Sequence, residues 1–323
     1  MRLHDNPELF SDAIQAASLP PEEGGLGIKA VFIEKDYWIC RSLALMSEND
    51  KENRAIFKGG TSLTKAYGIG NRFSEDIDIA ISEAWTLSGN QLKMLIKRTA
   101  QNMTAGLKEI DMPGLTSKGS HYHKVYYSYP RVFESISNGT INAGQILIEI
   151  NSFANPYPFQ KCKITSFLTE FFQKTGNDNL ILEYDMQPFY VNVLDRRRTL
   201  TEKIVSLLRY SLADNYISEL KAKIRHFYDL YFLINDKETQ EYLDSVSFNN
   251  DLKNLFTQDQ QRFTKPDGWQ HKKIKESPIL TDLHSVWSQL DSIYSNELPD
   301  LAYKEIPSAE QIEKAIRKLL SYI

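Results

Sequence analysis

Apolar and polar residues alternate with a period of two in short stretches of the first 195 residues. Ile77, Ile79 and Ile81 alternate with Asp76, Asp78 and Ala80, which is typical of a β-strand. Further strands are predicted at residues 55–58, 122–129, 146–153 and 189–194. Helices are predicted over residues 29–47, 61–67 and 90–107. This part of the chain is therefore expected to mix strands and helices.

The rest of the chain favours helices. Fourteen of the 15 glycines lie at or before Gly176, and glycine weakens helices. Residues 199–212 and 216–234 lack Gly and Pro and predict two helices, whereas the polar residues 265–278 predict a loop. A last helix is expected after Ser308, because Gln311 follows it by three residues as in a capping box. We expect an α+β fold with a mixed sheet flanked by helices in residues 1–195, followed by a mostly helical domain in residues 196–323.

Composition indicates which partners the protein could bind and in which cell compartment it would lie. The 323 residues carry a net charge of −4, so binding to a nucleic acid would need a local basic surface. Residues 196–225 are the most basic region and the natural place for one. Cys40 and Cys162 lie far apart without metal-type spacing. Because no signal peptide or apolar run of about 18 residues is evident, the sequence predicts a cytoplasmic protein.

A glycine pair, Gly59-Gly60, separates the predicted strand at 55–58 from the helix at 61–67. Glycine lets the backbone approach a phosphate closely, and a helix N-terminus attracts anions. The hydroxyls of Thr61 and Ser62 could add hydrogen-bond donors. The alternative is an ordinary strand-to-helix turn with a Ser/Thr cap.

Asp76 and Asp78 face the same side of their predicted strand because side chains alternate along it. Two carboxylates on one face repel each other, and a divalent cation relieves that repulsion. Magnesium is the default choice, since it binds carboxylates together with substrate phosphates. The alternative is a strand whose polar face meets water.

A third acidic ligand usually accompanies such a pair in two-metal catalysis. Glu149 is the best candidate because it interrupts the apolar strand at 146–150, where a charge is rare without a partner. Asp185 and Asp195 are weaker candidates near predicted strand ends. Glu149 could instead face water on an edge strand.

Arg72 and Ser74 precede the two aspartates, and the sequence leaves the role of each open. Arg72 could neutralise phosphate charge, or it could pair with Glu75 or Asp76. Ser74 could bind phosphate, be a site of modification, or cap a turn.

The helical part contributes further charged candidates. Lys203 borders an apolar helix face and could bind a triphosphate or stabilise leaving pyrophosphate. Lys221, Arg225 and Asp229 form an i, i+4, i+8 row, in which Arg225 and Asp229 could be a surface ion pair. Taken alone, each of these charges is more typical of a solvated helix face than of a ligand.

Four blocks together resemble a known family. They are Ile33-Glu34-Lys35-Asp36-Tyr37-Trp38; Lys58-Gly59-Gly60-Thr61-Ser62-Leu63 with Arg72-Phe73-Ser74-Glu75-Asp76-Ile77-Asp78; Thr199-Leu200-Thr201-Glu202-Lys203; and Arg225-His226-Phe227-Tyr228-Asp229-Leu230-Tyr231. In this order they resemble the AbiEii/AbiGii-type nucleotidyltransferase toxins, which include the MenT toxins, within the DNA polymerase β-like superfamily. The last 90 or so residues carry no recognisable motif.

The resemblance implies specific roles. Asp76 and Asp78 would hold the catalytic metal, Mg²⁺ or Mn²⁺, and Gly60, Thr61 and Ser62 would bind nucleotide phosphates. Lys203 and Asp229 would join the active site from the helical domain, and Ser74 corresponds to a position phosphorylated in some relatives. Members act in toxin–antitoxin and phage-defence systems; some transfer nucleotides to tRNA 3′ ends and others are described as GTP-binding. The partner is often an antitoxin with a winged-helix DNA-binding domain.

These expectations define one leading hypothesis and its rivals. The protein would transfer a nucleoside monophosphate from an NTP to an acceptor hydroxyl, and tRNA is the leading acceptor. Glu149 would position the acceptor hydroxyl or remove its proton. The rivals are transfer to a protein or self-phosphorylation at Ser74, and a non-catalytic GTP-binding toxin. The base of the NTP, the acceptor and the oligomeric state are open at this stage.

Overall fold

The computed structural model describes residues 1–133 and 144–323, which divide into two compact units. The first comprises Met1–Gly68 and Phe73–Leu194, and the second comprises Ile69–Arg72 and Asp195–Ile323. None of the helices in the described ranges is long and apolar enough to cross a membrane.

A mixed β-sheet forms the centre of the first unit. Its strands are β1 (Ala55–Lys58), β2 (Asp76–Ile81), β3 (Lys108–Ile110), β4 (Ser117–Lys118), β5 (Tyr122–Ser128), β6 (Gln145–Asn151), β7 (Phe159–Ile164) and β8 (Phe189–Leu194). Within the described ranges the strand order is β3-β5-β6-β2-β1-β8-β7, and β4 pairs with β5. The β2–β6 and β1–β8 pairs are parallel, and the other pairs are antiparallel.

Helices surround this sheet. They are α1 (Pro7–Ser18), α2 (Ala30–Asn49), α3 (Gly59–Tyr67), α4 (Gly89–Met103), α5 (Phe167–Lys174) and α6 (Asp178–Glu183). Helices α2 and α4 both pack against β6. Ile77, Ile79 and Ile81 are buried in β2, so Asp76 and Asp78 turn toward the opposite face, as the alternation predicts.

The second unit is helical. Its helices are α7 (Arg196–Ser211), α8 (Tyr216–Lys221), α9 (Ile224–Ile234), α10 (Lys237–Leu243), α11 (Val246–Arg262), α12 (Pro278–Thr281), α13 (Leu283–Trp287), α14 (Asp291–Leu301) and α15 (Ala309–Leu320). Its core includes Phe227, Trp287 and Tyr294, whose rings contact each other in series. The segment 69–72 belongs here because Asn71 donates its N–H to the Tyr228 hydroxyl and accepts from the N–H of Tyr303.

The structure confirms the α+β fold class and every predicted strand, and it corrects several boundaries. The prediction of one helix over residues 216–234 is wrong: α8 ends at Lys221 and α9 begins at Ile224. The helix predicted from residue 61 begins at Gly59. The sequence does not predict the strands β3, β4 and β7. β3 and β4 have only three and two residues and carry too little alternation, and the apolar residues of β7, Phe159, Cys162 and Ile164, do not follow a period of two along the strand. The capping box of Ser308 and Gln311 is present at the start of α15.

Candidate active site

The glycine pair joins β1 directly to α3. The strand ends at Lys58 and the helix begins at Gly59, so no loop separates them. Gly59 has a φ of +80°, which residues with a Cβ rarely adopt. The N-terminus of α3, with its partial positive charge, is the feature here that could meet a phosphate.

Gly59 lies directly against the carboxylate of Asp78. An ideal Cβ built on Gly59 would overlap Oδ2 of Asp78 and lie 3.0 Å from its Cγ. A glycine is therefore required here by its φ angle and also by the side chain opposite. The two sequence motifs, which are separate along the chain, form one site in the fold.

The two predicted hydroxyl donors are used inside the protein. Thr61 Oγ1 donates to the carbonyl oxygen of Asp76 at 2.6 Å, and Ser62 Oγ donates to the carbonyl of Gly59 at 2.9 Å. Both side chains are buried. The Thr61 bond ties α3 to the start of β2, and the Ser62 bond closes the first turn of the helix.

Three candidate carboxylates share one face of the sheet. Asp76 and Asp78 are half-buried. In the parallel β2–β6 pair, Asp78 stands opposite Glu149, and residues in register point to the same face. The structure thus puts the three carboxylates that the sequence predicts on one face of two neighbouring strands.

Two lysines flank the central carboxylates in a row across four strands. The register pairs Lys58 with Asp78, Asp78 with Glu149, and Glu149 with Lys124. Lys124 Nζ lies 2.9 Å from Oε1 of Glu149, and the Tyr122 hydroxyl donates to Oε2 at 2.8 Å. Burial, followed by the Glu149 carboxylate, raises the pKa of Tyr122, so this hydroxyl keeps its proton at neutral pH.

The sequence alone assigns no role to Lys58, Tyr122 or Lys124. The alternation in residues 122–128 indicates which of them share a face. The pairing of β5 with β6, however, depends on long-range register, which a single sequence does not reveal.

Within residues 1–133 and 144–323, no group of three His, Cys, Asp or Glu side chains could hold a metal ion. Both oxygens of Glu149 already contact Lys124 and Tyr122. Asp76 and Asp78 nevertheless provide hard oxygen ligands on one face beside the start of α3. Because Mg²⁺ often takes one or two carboxylates and completes its shell with substrate phosphates and water, this donor set fits a cation that arrives with a nucleotide.

Three consecutive charged residues are buried in α2. Glu34, Lys35 and Asp36 are each no more than 2% exposed, which is rare for charged residues without partners. Glu34 Oε1 accepts the N–H of Val132 at 2.7 Å. Burial raises the pKa of the Glu34 carboxyl.

The other two buried charges reach the elements that carry the candidate site. Lys35 Nζ lies 2.6 Å from Oε2 of Glu75, the residue before β2. Asp36 Oδ1 lies 2.7 Å from Nζ of Lys65 in α3. Neighbouring residues of one helix therefore fix both the carboxylate strand β2 and the helix α3 that follows the glycine pair.

A second charge cluster lies in the helical unit. Arg72 donates through Nε and Nη2 to the two oxygens of Asp229, both at 2.8 Å, and Lys203 Nζ lies 2.7 Å from Oδ2. All three side chains are buried. Burial alone would raise the pKa of Asp229, but the charges of Arg72 and Lys203 outweigh it and hold the pKa well below its usual range.

The structure adds a partner for Arg72 that the sequence does not indicate, and it corrects one interpretation of the sequence. Arg72 pairs with Asp229, 157 residues away in sequence. The row of Lys221, Arg225 and Asp229 is interrupted, because Lys221 ends α8 and the other two lie in α9. Asp229 is thus held by buried cations of the same unit.

The remaining candidates have local structural contacts. Ser74 is half-buried two residues before β2 begins. Asp185 is exposed and pairs with Arg2, and Asp195 caps α7 by accepting the N–H of Arg197. Several cations of the basic region 196–225 are in ion pairs, including Arg196 with Asp236 and Arg209 with Asp259, so this region is less free to bind a nucleic acid than its composition indicates.

Comparison with known proteins defines the family to which this chain belongs. Residues 41–316 match the nucleotidyl transferase AbiEii toxins of type IV toxin–antitoxin systems. The match includes the glycine pair and both aspartates, and it extends through helices in which the sequence shows no motif. The first of the four resemblance blocks, residues 33–38, lies before the matched range.

Among solved structures, the fold is similar to MenT4, a nucleotidyltransferase toxin from Mycobacterium tuberculosis H37Rv. The TM-score is 0.56 at 13% sequence identity, with 97% of this chain and 88% of that chain covered. A search of curated protein sequences finds no match. At this identity the similarity establishes the fold alone.

The chain belongs to the AbiEii nucleotidyl transferase toxin family, because that family matches most of its length. It is a nucleotidyltransferase, and its family implies an NTP substrate and an antitoxin.

Proposed function

We propose that this toxin transfers a nucleoside monophosphate from an NTP to a hydroxyl group of RNA, and that this hydroxyl lies at a tRNA 3′ end. The observation that carries the proposal is the contact between Gly59 and Asp78. It puts a helix N-terminus, which attracts phosphates, beside carboxylates that can share a cation with those phosphates.

The transfer makes one bond and breaks another. The acceptor oxygen bonds to the α-phosphorus, the bond from the α-phosphorus to the bridging oxygen breaks, and pyrophosphate leaves with that oxygen. Glu149 lies on the carboxylate face and would take the proton of the acceptor hydroxyl or orient it. The N-terminus of α3, beginning at Gly59 and Gly60, would hold the phosphates of the donor.

Asp76 and Asp78 would hold Mg²⁺ or Mn²⁺, with Glu149 as a further acidic ligand. A bound divalent cation neutralises the charge that develops on the phosphate oxygens. Thr61 and Ser62 would brace α3 through their bonds to the carbonyl oxygens of Asp76 and Gly59.

The second unit would also contribute to activity, because the family match extends across most of it. We propose that activity depends on Lys203, Asp229 and Arg72. Lys203 carries the positive charge suited to a triphosphate, and Asp229 holds it in place at 2.7 Å.

The biological setting follows from the family. A toxin that modifies tRNA would stop translation and arrest growth, and phage defence is one use of such arrest. We propose a cytoplasmic location and a cognate antitoxin that carries a winged-helix DNA-binding domain.

A labelling screen tests this function. The purified protein is incubated with total RNA, Mg²⁺ and each of the four α-³²P-labelled NTPs in turn. We expect label on small RNA with at least one NTP, and none with Asp76→Asn, which keeps the size of the side chain but removes its charge. The matched control is Asp12→Asn on the exposed face of α1, which should behave as wild type.

The same screen separates the rival functions. Label that survives RNase and is lost with protease would replace RNA by a protein acceptor, and α-label at Ser74 would identify transfer of a nucleoside monophosphate to the toxin itself. Self-phosphorylation at Ser74 transfers the γ-phosphate, so a parallel reaction with γ-³²P-labelled NTP would detect it. Growth arrest that persists in an Asp76→Asn/Asp78→Asn variant would favour a non-catalytic GTP-binding toxin.

A further inference from the structure

The strand order separates a donor side and an acceptor side of the candidate site. The order β5-β6-β2-β1 puts the glycine pair, which directly follows β1, at one end and β5 at the other. Asp78 and Glu149 lie between them on β2 and β6. In phosphoryl transfer the attacking and leaving oxygens are roughly in line across the phosphorus. If the leaving pyrophosphate lies at the glycine pair, the acceptor must approach from the side of β5 and the end of β6.

Three side chains at that place have the chemistry of a nucleotide site. The rings of Tyr122 and Phe153 lie 5.5 Å apart, tilted by 33°, and Phe153 is 37% exposed. Lys124 stands two residues from Tyr122 on the same face of β5, and its side chain is 29% exposed. Exposed aromatic rings bind bases by stacking, and a neighbouring lysine binds the backbone phosphate.

Both β5 side chains also contact the central carboxylate. Lys124 and Tyr122 each hold one oxygen of Glu149, at 2.9 Å and 2.8 Å. A ligand bound to this lysine and these rings would therefore present its nearest hydroxyl to Glu149. We call Tyr122, Lys124 and Phe153 the acceptor platform.

We propose that the acceptor platform binds the 3′-terminal nucleotide of a single-stranded RNA. The base would stack on Phe153 and Tyr122, the phosphate would meet Lys124, and the terminal ribose hydroxyl would lie beside Glu149. This inference rests on the proposed function, because it supplies the acceptor of that reaction. The exposed ring of Phe153 and the half-buried ring of Tyr122, beside Lys124, favour a nucleic acid over a peptide hydroxyl.

The first test measures RNA binding without catalysis. A short fluorescent single-stranded RNA with a free 3′ hydroxyl is titrated with wild type, Phe153→Ala, Lys124→Met and a control, and its anisotropy is followed at several salt concentrations. Loss of one stacking contact is worth roughly 5- to 150-fold in affinity, which we expect for Phe153→Ala. Lys124→Met should weaken binding and also lower the slope of log K against log salt by roughly 0.7, the value for one phosphate on a single strand. Phe153→Ala should leave that slope unchanged.

The matched control is Tyr190→Ala. Tyr190 is also an exposed aromatic residue of the first unit, at 59%, but it lies on β8, which β6, β2 and β1 separate from β5 in the strand order. It should change neither the affinity nor the salt slope. Melting temperatures equal to that of wild type would show that all three variants fold.

The second test is steady-state transfer of label to the same RNA. Phe153→Ala and Lys124→Met should raise the KM for RNA by the factors found in binding, and should leave the KM for the NTP unchanged. Tyr122→Phe keeps the ring but loses the bond to Glu149, so it should lower kcat with little effect on the KM for RNA.

The outcomes separate the inference from the function on which it rests. If wild type labels RNA and the variants bind and use RNA as wild type does, the acceptor platform is wrong and the proposed function stands. An equal rise in the KM for the NTP would assign these residues to the donor side and also overturn the inference. If wild type labels no RNA or labels protein, both the proposed function and the RNA platform are overturned.

Discussion

Gly59 and Asp78 are in contact: the α-carbon of the glycine lies where any side chain would overlap the Oδ2 atom of the aspartate. The contact joins the start of α3 to the carboxylate strand β2. A motif suited to phosphate and a motif suited to a cation thereby share one wall of the candidate site.

Gly59→Ala is predicted to abolish most activity. The alanine Cβ would strain a backbone with φ of +80° and would push the Asp78 carboxylate from its place, and misplacement of a catalytic group by about 1 Å can cost about 100-fold in rate. We expect at least this loss in kcat/KM for label transfer.

Gly68→Ala is the matched control for that variant. Gly68 also has a positive φ, +64°, but no atom lies within 4 Å of the position that a Cβ would take there. Both variants should lose about 1–2 kcal/mol of unfolding free energy from the left-handed backbone, while only Gly59→Ala should lose activity. Equal activity losses in the two variants would contradict the role given to the Asp78 contact.

Lys35→Met is predicted to destabilise the first unit. It leaves Glu75 buried without the lysine that lies 2.6 Å away, and removing one partner of a buried ion pair costs about 3–5 kcal/mol. Urea unfolding measures the loss. Lys93→Met on the exposed surface of α4 should change stability by no more than about 0.5 kcal/mol, and a similarly small effect of Lys35→Met would show that the pair does not hold β2.

The Lys35–Glu75 pair also shows what the sequence can and cannot predict. Alternation over residues 76–81 predicts β2 and the shared face of its aspartates, since this is a local pattern. The block at residues 33–38 is recognisable only through resemblance. Its buried charges bind residues far along the chain, as Glu34 does with Val132, 98 positions away, and such long-range pairing leaves no periodic signal.

The same limit applies in the second unit. The family resemblance predicts Lys203 and Asp229 as site candidates, but Asp229 is not among the partners that the sequence indicates for Arg72. Arg72 and Asp229 are 157 residues apart, and their contact requires the segment 69–72 to join a unit formed otherwise by residues 195–323. Composition and spacing along the sequence do not reveal that residues 69–72 pack with a unit that begins at residue 195.

Asp229 should make the stability of the second unit depend on pH in acid. The folded-state pKa of Asp229 is depressed below the ordinary aspartate value of 3.8, so its contribution is present above about pH 4 and is lost as pH falls through the folded pKa. Asp229→Asn should lower the unfolding free energy at pH 7 by about 3–5 kcal/mol and should flatten its decline as the pH falls below about 4.

Urea unfolding across this pH range checks the prediction. Glu305→Gln, an exposed carboxyl of the same unit, should give a profile parallel to wild type. An Asp229→Asn profile that is also parallel to wild type would show that the ion-pair cluster does not carry the acid dependence.

The two cysteines should differ in reactivity. Burial, followed by the nearby Asp36 carboxylate, raises the pKa of the Cys40 thiol, and the thiolate is the reactive form. Cys162 is half-buried in β7. Iodoacetamide at mildly alkaline pH should therefore modify Cys162 in the native protein and Cys40 only after urea is added. Mass spectrometry of the peptides would contradict this if Cys40 reacted as fast as Cys162 in the native state.

The central claim is nucleotidyl transfer to RNA at the Asp76–Asp78 face. The most direct measurement compares an NTP labelled at the α-phosphate with the same NTP labelled at the γ-phosphate, using total RNA and wild type, Asp78→Asn and Asp12→Asn proteins. Only the α-label should appear on small RNA, with wild type and Asp12→Asn but not with Asp78→Asn. Transfer of the γ-label, or α-labelled RNA of equal intensity with Asp78→Asn, would contradict the account.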